Sequence, residues 1–280
     1  MPGHWGRTCC CCPLPPRTSW PADRPALYCE LLPCGSSSLL FTTGIKPALC
    51  HNTGRLKPNP LWRAEIRERS LVLRLPHRYR VLGWAPLNGG VKRAEVIINH
   101  QIDANDRSTN CPPRRYLSAV VRSMGFDPRH TVAMMTGVPM RRAAAVSLWH
   151  GDLIVSAWCT AGCSNALRVG DRATVDGPQM GTINLIVAIN QSLTESALIE
   201  AIQIATEARA AALSAARVRS TRSRRIATGT GTDCIVVAAP EAPPIHGYCG
   251  KHTRLGELIG RAALRACAQA LARWRRSERR

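Results

Sequence analysis

Aromatic side chains are scarce in this chain, with only two Phe and four Tyr among 280 residues. Any core must therefore be built from aliphatic and alanine side chains. Acidic residues are outnumbered, 18 Asp+Glu against 38 Lys+Arg, for a formal net charge of +20. No stretch approaches the roughly 20 consecutive apolar residues of a membrane-spanning helix, which argues against membrane insertion. The amino terminus lacks the basic-then-apolar profile of a secretory leader, so the cytoplasm is the expected compartment. Regular cysteine spacing is missing too: of 13 cysteines, seven precede residue 51, and Cys9, Cys10, Cys11 and Cys12 are consecutive. Neighbours in sequence cannot all satisfy disulfide geometry, which argues against a disulfide framework. There is no Gly-x-Ser-x-Gly nucleophile elbow, no P-loop and no internal repeat. The arginine clusters at 217–225 and 273–280 are not interleaved with aromatics as single-strand nucleic-acid binding favours, and read as solvated charge.

What is present divides the chain in two. Residues 1–60 are rich in Cys, Pro, Ser and Trp and show neither helical nor strand periodicity. The expected division is a low-complexity extension at 1–68, disordered or not part of the native protein, and a single domain at 69–280. A native start near Leu71 to Leu75, for example at Val72 from a non-AUG codon, is the associated expectation. From Leu71 onward the pattern alternates strands and helices. Strands are expected at 79–84, 93–99, 130–135, 145–148, 152–158, 182–189 and 234–239, with turns at 85–90 and at His150-Gly151-Asp152. The run 182–189 is apolar apart from Asn184 and reads as a central strand buried on both faces. Helices are expected at 116–124, after a capping box at Ser192-Leu193-Thr194-Glu195, and from Arg254 to about Trp274. The middle helix would bury Leu198, Ile199, Ile202 and Ala205. The fold class is α/β, a single layered domain with a mixed sheet flanked by helices.

The stretch from Ala227 to Gly260 is chemically the densest. It opens on Thr228-Gly229-Thr230-Gly231-Thr232-Asp233 and closes on Gly250-Lys251-His252-Thr253 at a helix start. Glycines let backbone N–H groups approach a ligand, and each Thr adds a donor and an acceptor on a stiff side chain. Thr253 is the expected helix cap. The positive end of that helix favours an anion and a neutral imidazole at His252, a setting suited to hydrolysis. A plain turn with a helix cap accounts for the same residues. Other polar residues fall at element ends: Asn88, Asn99, His100, Asn165, Asp171, Asn184 and Glu207. Side-chain amides donate and accept at once, so several Asn suit an amide-rich ligand, although Asn88 alone reads as a turn residue. Cys159, Cys163, Cys249 and His252 make a zinc site on paper, but only the first pair has ligand spacing, and incidental thiols are the stronger reading. Cys163 as a nucleophile rests on one thiol in a Gly-containing turn.

Taken in order, these blocks resemble the adenosylcobinamide amidohydrolase family. They are Ala85-Pro86-Leu87-Asn88-Gly89-Gly90 with Ile97-Ile98-Asn99-His100-Gln101, Ser164-Asn165-Ala166 with Arg168, Gly170 and Asp171, Gly181-Thr182-Ile183-Asn184, and Thr206-Glu207-Ala208-Arg209. The most specific is the Thr/Gly loop with Gly250-Lys251-His252-Thr253 and Leu255-Gly256-Glu257-Leu258-Ile259-Gly260. Coverage runs from about Leu71 to the last helix. Cys163 and Cys249 are not positions where the family is expected to carry a thiol, and Arg209 stands where Lys is usual.

The resemblance implies hydrolysis of the aminopropanol amide of adenosylcobinamide to adenosylcobyric acid in cobamide salvage. No cofactor is then required of the protein, since cobalt arrives with the corrinoid, and no metal site is expected. His252 would be the general base, oriented by Asp233 or Glu207, with Lys251 and helix N–H groups at the oxyanion; Thr230 or Thr232 as nucleophile is the alternative. Asn88, Gly89, Gly90, Asn99, Asn165, Asn184, Thr228, Gly229, Thr230, Gly231, Thr232, Thr253 and Glu257 would contact substrate. Two other classes are a non-catalytic corrinoid-binding protein and, less favoured, a basic nucleic-acid-binding protein.

Overall fold

The computed structural model describes residues 61–103, 111–173, 181–242 and 245–278, together with a short strand at Ala48–Leu49. The expectation of a disordered extension lies almost wholly outside the described residues. In chain order, β1 (Ala48–Leu49), β2 (Arg63–Arg67), β3 (Ser70–Gly83) and β4 (Gly90–Gln101) precede α1 (Pro113–Ser123). Then β5 (Thr131–Thr136), β6 (Ala144–His150), β7 (Leu153–Ala161), β8 (Ala166–Leu167), β9 (Ile183–Ile189) and β10 (Ser192–Leu193) lead into α2 (Glu195–Ala215). Strands β11 (Gly229–Thr230), β12 (Cys234–Pro240) and β13 (Ile245–His246) come before α3 (Arg254–Glu278).

Nine strands form one mixed sheet in the order β1-β6-β7-β9-β12-β3-β4-β5, with β2 paired to β3 beside this path. Strands β9 and β12 run parallel, as do β4 and β5, whereas β7/β9, β12/β3 and β3/β4 are antiparallel. The whole of β9 is buried, as its continuous apolar run implies. Strand β3 carries Pro76 in its middle, and its ladder with β4 shifts register between Arg74 and Tyr79. Proline has no N–H to donate, so the irregularity falls where the sequence puts it. Strand β2 and the buried Trp62 lie ahead of both the boundary expected at 69 and the start expected at Val72.

Alternation along the strands separates three cores. Val155, Ala157, Leu185, Val187, Ile235 and Val237 face α2 and α3. The opposite residues, Trp158, Ile186, Ala188, Val236 and Ala238, share a second core with Leu71, Leu73, Ile97, Val132 and Met134. The two halves of the sheet thus close on each other, and Trp62 meets Trp158 edge-on with ring centroids 6.2 Å apart. Helix α1 covers the far side through Tyr116, Leu117 and Val121 against Val72, Val96 and Ile98. The layers run helix, sheet half, sheet half, helix, consistent with the expected α/β class.

Two local expectations are corrected. The cap of α2 is Thr194, whose Oγ1 accepts from Ala197 N at 3.2 Å, while Ser192 sits in β10. On α2 the buried stripe is Ala197, Leu198, Ala201, Ile204, Ala205, Ala208 and Ala212, which leaves Ile199 63% exposed. Contact with both α3 and β12 sets that stripe and turns Ile199 away from it. Among the described residues no helix is long and apolar enough to cross a membrane.

Candidate active site

Five strand ends converge where the two sheet halves meet: the ends of β4, β5 and β7 and the starts of β9 and β12. Asn99, near the end of β4, donates from Nδ2 to Thr160 Oγ1 of β7 at 2.9 Å. Asn184 of β9 donates from Nδ2 to Asn99 Oδ1 at 2.7 Å and to Met135 O at 3.0 Å. Strands β4 and β9 are not neighbours in the sheet, so these bonds cross between its halves. Asn184 is 1% exposed and its Oδ1 has no hydrogen-bond partner. A buried amide oxygen without a donor costs about 1–3 kcal/mol, and a ligand N–H would relieve that cost.

The Thr/Gly loop lies directly above. Its short strand β11 pairs antiparallel with β8, which sets Gly229 opposite Leu167 and Thr230 opposite Ala166. Asp233 closes the loop on itself. Its Oδ2 accepts from Thr230 N at 2.8 Å, and its Oδ1 accepts from Ile183 N at 3.0 Å and from the Thr230 hydroxyl. Arg209, reaching from α2, places Nη1 3.0 Å from Asp233 Oδ2, with both side chains almost wholly buried. Burial pushes the Asp233 carboxyl up, against the opposing pull of Arg209, the Thr230 hydroxyl and two backbone N–H groups. A Cβ on Gly229 would overlap Asp233 Oδ2, so this position has to be glycine for the pair to pack on the backbone. Thr232 Oγ1 lies 2.7 Å from Thr182 Oγ1 and donates to Gly181 O at 2.8 Å. Thr228 Oγ1 accepts from Val169 N at 2.8 Å. A Cβ on Gly181 would overlap Asn165 Oδ1, and the nearest side chains to a Cβ on Gly231 are those of Leu167 and Asn165. Outside the loop, Trp84 donates from Nε1 to Asp233 O at 2.6 Å while its ring is 48% exposed.

The second conspicuous loop, residues 250–253, sits at the start of α3. Thr253 is its cap, as expected: Oγ1 accepts from Gly256 N at 2.9 Å and donates to Gly250 O at 2.8 Å. Lys251 Nζ meets Glu207 Oε2 at 2.7 Å on the surface, and Gln203 donates to the other carboxylate oxygen. His252 is exposed, with its ring stacked on Tyr248 at 6.1 Å. Neither ring nitrogen has a hydrogen-bond partner among the described residues. Asp233 and Glu207 are both engaged elsewhere, so the structure does not join either of them to His252.

The remaining candidates divide by use. Asn88 has φ +58 in the β3–β4 turn, and its Nδ2 donates to Pro128 O at 2.6 Å and Thr131 O at 2.7 Å. Gly89 and Gly90 complete that turn, and Glu257 is held on the surface by Arg254 and Arg261. The thiols on the paper zinc site are dispersed: Cys159 faces Cys267, and Cys249 donates to Ala197 O. Among the described residues no group of three or more His, Cys, Asp or Glu could hold a metal ion. Burial pushes the Cys163 thiol up to about 12, which removes it as a nucleophile at neutral pH.

Sequence reasoning missed the parts played by Thr160, Thr182, Trp84 and Arg209. Thr182 was legible in principle, since it shares with Asn184 the strand face that continues through Ile186 and Ala188. Arg209 was legible as a charge four residues beyond Ala205, flanking an otherwise apolar stripe.

A model of the adenosylcobinamide amidohydrolase family matches residues 58–279. An uncharacterized protein of Methanocaldococcus jannaschii is 30% identical over 224 residues, covering 72% of this chain and 86% of that one. A Methanosarcina mazei protein named adenosylcobinamide amidohydrolase is 29% identical over 195 residues, 66% of this chain and 86% of its own. A Halobacterium salinarum protein of the same name is 30% identical over 203 residues, 70% of this chain and 78% of its own.

Proposed function

The chain belongs to the adenosylcobinamide amidohydrolase family, a family of hydrolases that act on an amide, and from that premise we propose that it cleaves the aminopropanol amide of adenosylcobinamide. The products are adenosylcobyric acid and free aminopropanol, and the acid re-enters cobamide synthesis in the cytoplasm. The observation that carries the reading is the pairing of the family match with a polar cluster of Asn, Thr and Gly in which Asn184 Oδ1 is a buried acceptor without a donor. A corrin is rimmed by amides, and such a rim supplies the N–H that this atom lacks. Cobalt enters with the substrate, and the hydrolysis itself consumes only water.

His252 is the general base toward that water. Its free, exposed imidazole and its place at the start of α3 support this role, and stacking on Tyr248 orients the ring in place of a carboxylate. Lys251, released from Glu207, and the first N–H groups of α3 at Arg254 and Leu255 stabilise the tetrahedral oxyanion. Asn99, Asn165, Asn184, Thr228, Thr232 and the backbone of Gly231 line the corrin side. Asp233, Arg209 and Gly229 hold the loop in shape. Asn88, Gly89, Gly90, Thr253 and Glu257 serve local structure and do not touch substrate.

One observation favours a second chemistry. Thr230 donates its hydroxyl to a buried carboxylate that is pushed up toward basicity, the pairing an activated threonine nucleophile requires. Both readings are tested by incubating the purified chain with adenosylcobinamide and following corrinoid and aminopropanol by mass detection. A burst of aminopropanol with a corrinoid adduct on the Thr230 peptide establishes the nucleophile; turnover with no adduct, lost in His252→Ala, establishes water attack. Unchanged substrate that co-elutes with folded protein overturns catalysis in favour of a corrinoid-binding protein.

A further inference from the structure

Four arginines gather at the far end of α3. Arg273 and Arg276 on the last turns of that helix, with Arg141 and Arg142 of the 3-10 turn Met140–Arg142, line an open cavity of about 700 Å³ together with Ser277. No carboxylate lines it among the described residues. Arg273 is tied down, donating from Nη1 to Ala143 O. Arg141, Arg142 and Arg276 make no side-chain hydrogen bond or ion pair with any described residue. By contrast, a second surface cavity, lined among others by Arg78, Arg80, Arg93 and Arg129, includes carboxylates, and Arg80 and Arg93 share Glu241 there.

Like charges brought together without a counter-charge repel, and burial together with Arg276 accordingly holds Arg273 below its ordinary value. The carboxyl end of a long helix offsets part of this repulsion, since its partial charge is about half an electron. That is too little for four guanidiniums, two of which belong to another element. We propose that this cavity binds a small oligophosphate, a ligand carrying two or more linked phosphate groups. Guanidinium forks match phosphate oxygens in pairs, so four of them provide for several anionic groups at once. The volume points the same way: it falls within the roughly 300–1,000 Å³ of small-molecule sites and exceeds what a lone phosphate fills. The site shares no residue with the amide-hydrolysis cluster, and the inference does not rest on that reading.

The test is calorimetric titration of the full chain with inorganic tripolyphosphate, orthophosphate and a short single-stranded oligonucleotide at fixed ionic strength. The partner variant is Arg141→Gln/Arg276→Gln, with Arg114→Gln/Arg115→Gln on α1 as a control that removes the same charge elsewhere. Tripolyphosphate should bind at one per chain, at least tenfold more weakly in the first variant and unchanged in the control. Hydrolysis of adenosylcobinamide should stay at the parent level in both. Equal weakening in both variants, or no binding, overturns the site. Orthophosphate binding as tightly as tripolyphosphate overturns the oligophosphate class. Tighter binding of the oligonucleotide, with the steep salt dependence of nucleic-acid contacts, assigns the surface to nucleic acid instead.

Discussion

Two acid–base pairs anchor the two loops of the candidate site, and they differ in almost everything except chemistry. Asp233 and Arg209 are almost wholly buried, and the carboxylate oxygens are taken up by the loop's Thr230 N–H and hydroxyl, the Ile183 N–H of β9 and the guanidinium. Glu207 and Lys251 are exposed, and the residue beside them, His252, carries two uncommitted ring nitrogens. A buried pair fixes geometry, because breaking it strands a charge away from water. An exposed pair fixes little, because water replaces either partner. The Thr/Gly loop is therefore held rigidly, and on the proposed reading residues 250–253 supply the adjustable, reactive groups. Under the proposed function, that division gives stability to one loop and turnover to the other.

The largest expected effect breaks the turnover side. His252→Ala should lower kcat by about 10²–10⁴, the range typical of losing a general base, with thermal unfolding unchanged. Steady-state kinetics beside a melting curve reads both. If turnover survives while Thr230→Ala abolishes it, the roles of the two loops are reversed.

Next comes the stability side. Arg209→Met leaves the Asp233 carboxylate buried with hydrogen bonds but no cation, and should cost about 3–5 kcal/mol in denaturant unfolding. Arg209→Lys keeps the charge and should recover most of that loss. Gly229→Ala attacks the same pair from the backbone side, since the added methyl overlaps Asp233 Oδ2, and should cost about 1–3 kcal/mol. Equal stability of Arg209→Met and the parent would show the pair to be no anchor.

The asymmetry between the loops also decided what could be read in advance. The Thr/Gly loop, the cap at Thr253, the buried strand β9 and the turn at Gly151 are local signals, each contained within a few residues, and each stands in the structure. Strand β2 and the first half of β3 were not delimited as strands, because charged residues interrupt one and Pro76 interrupts the other. What makes the floor of the site lies further apart still. Arg209 comes to Asp233 only through the packing of α2 on β12, and Asn99 meets Asn184 only because the sheet closes on itself. Pairings of that kind are properties of topology, and no spacing in the chain announces them. The same holds for the expected orienting of His252 by a carboxylate: in the structure Glu207 is engaged by Lys251 and Asp233 by Arg209.

A finer test asks whether the two carboxylates titrate with opposite sign. Burial raises Asp233 above its unfolded value, so the native state holds the proton where the unfolded chain has lost it. Its contribution is then fullest below the unfolded value and declines as pH rises to the folded one. Lys251, and then Gln203, lower Glu207, whose contribution is present above the unfolded value and lost as pH falls through the folded one. Measured against Asp233→Asn, the parent should lose relative stability as pH rises from the unfolded carboxyl value toward the raised folded one. A gain instead would mean that Arg209 outweighs burial.

The smallest effect is the most informative about the reactive edge. Glu207→Gln removes the partner of Lys251 without touching the loop, and because both side chains face water the melting temperature should not move. Its consequence should appear in catalysis. If Lys251 must leave Glu207 to reach the developing oxyanion, the variant frees it beforehand, and kcat should hold or rise slightly. If instead the pair positions the loop for His252, kcat should fall while the fold stays intact. Lys251→Met separates the two: it should depress kcat under the first account far more than Glu207→Gln does, and to the same extent under the second. An exposed ion pair too weak to register in folding can thus still decide how the reacting groups are held.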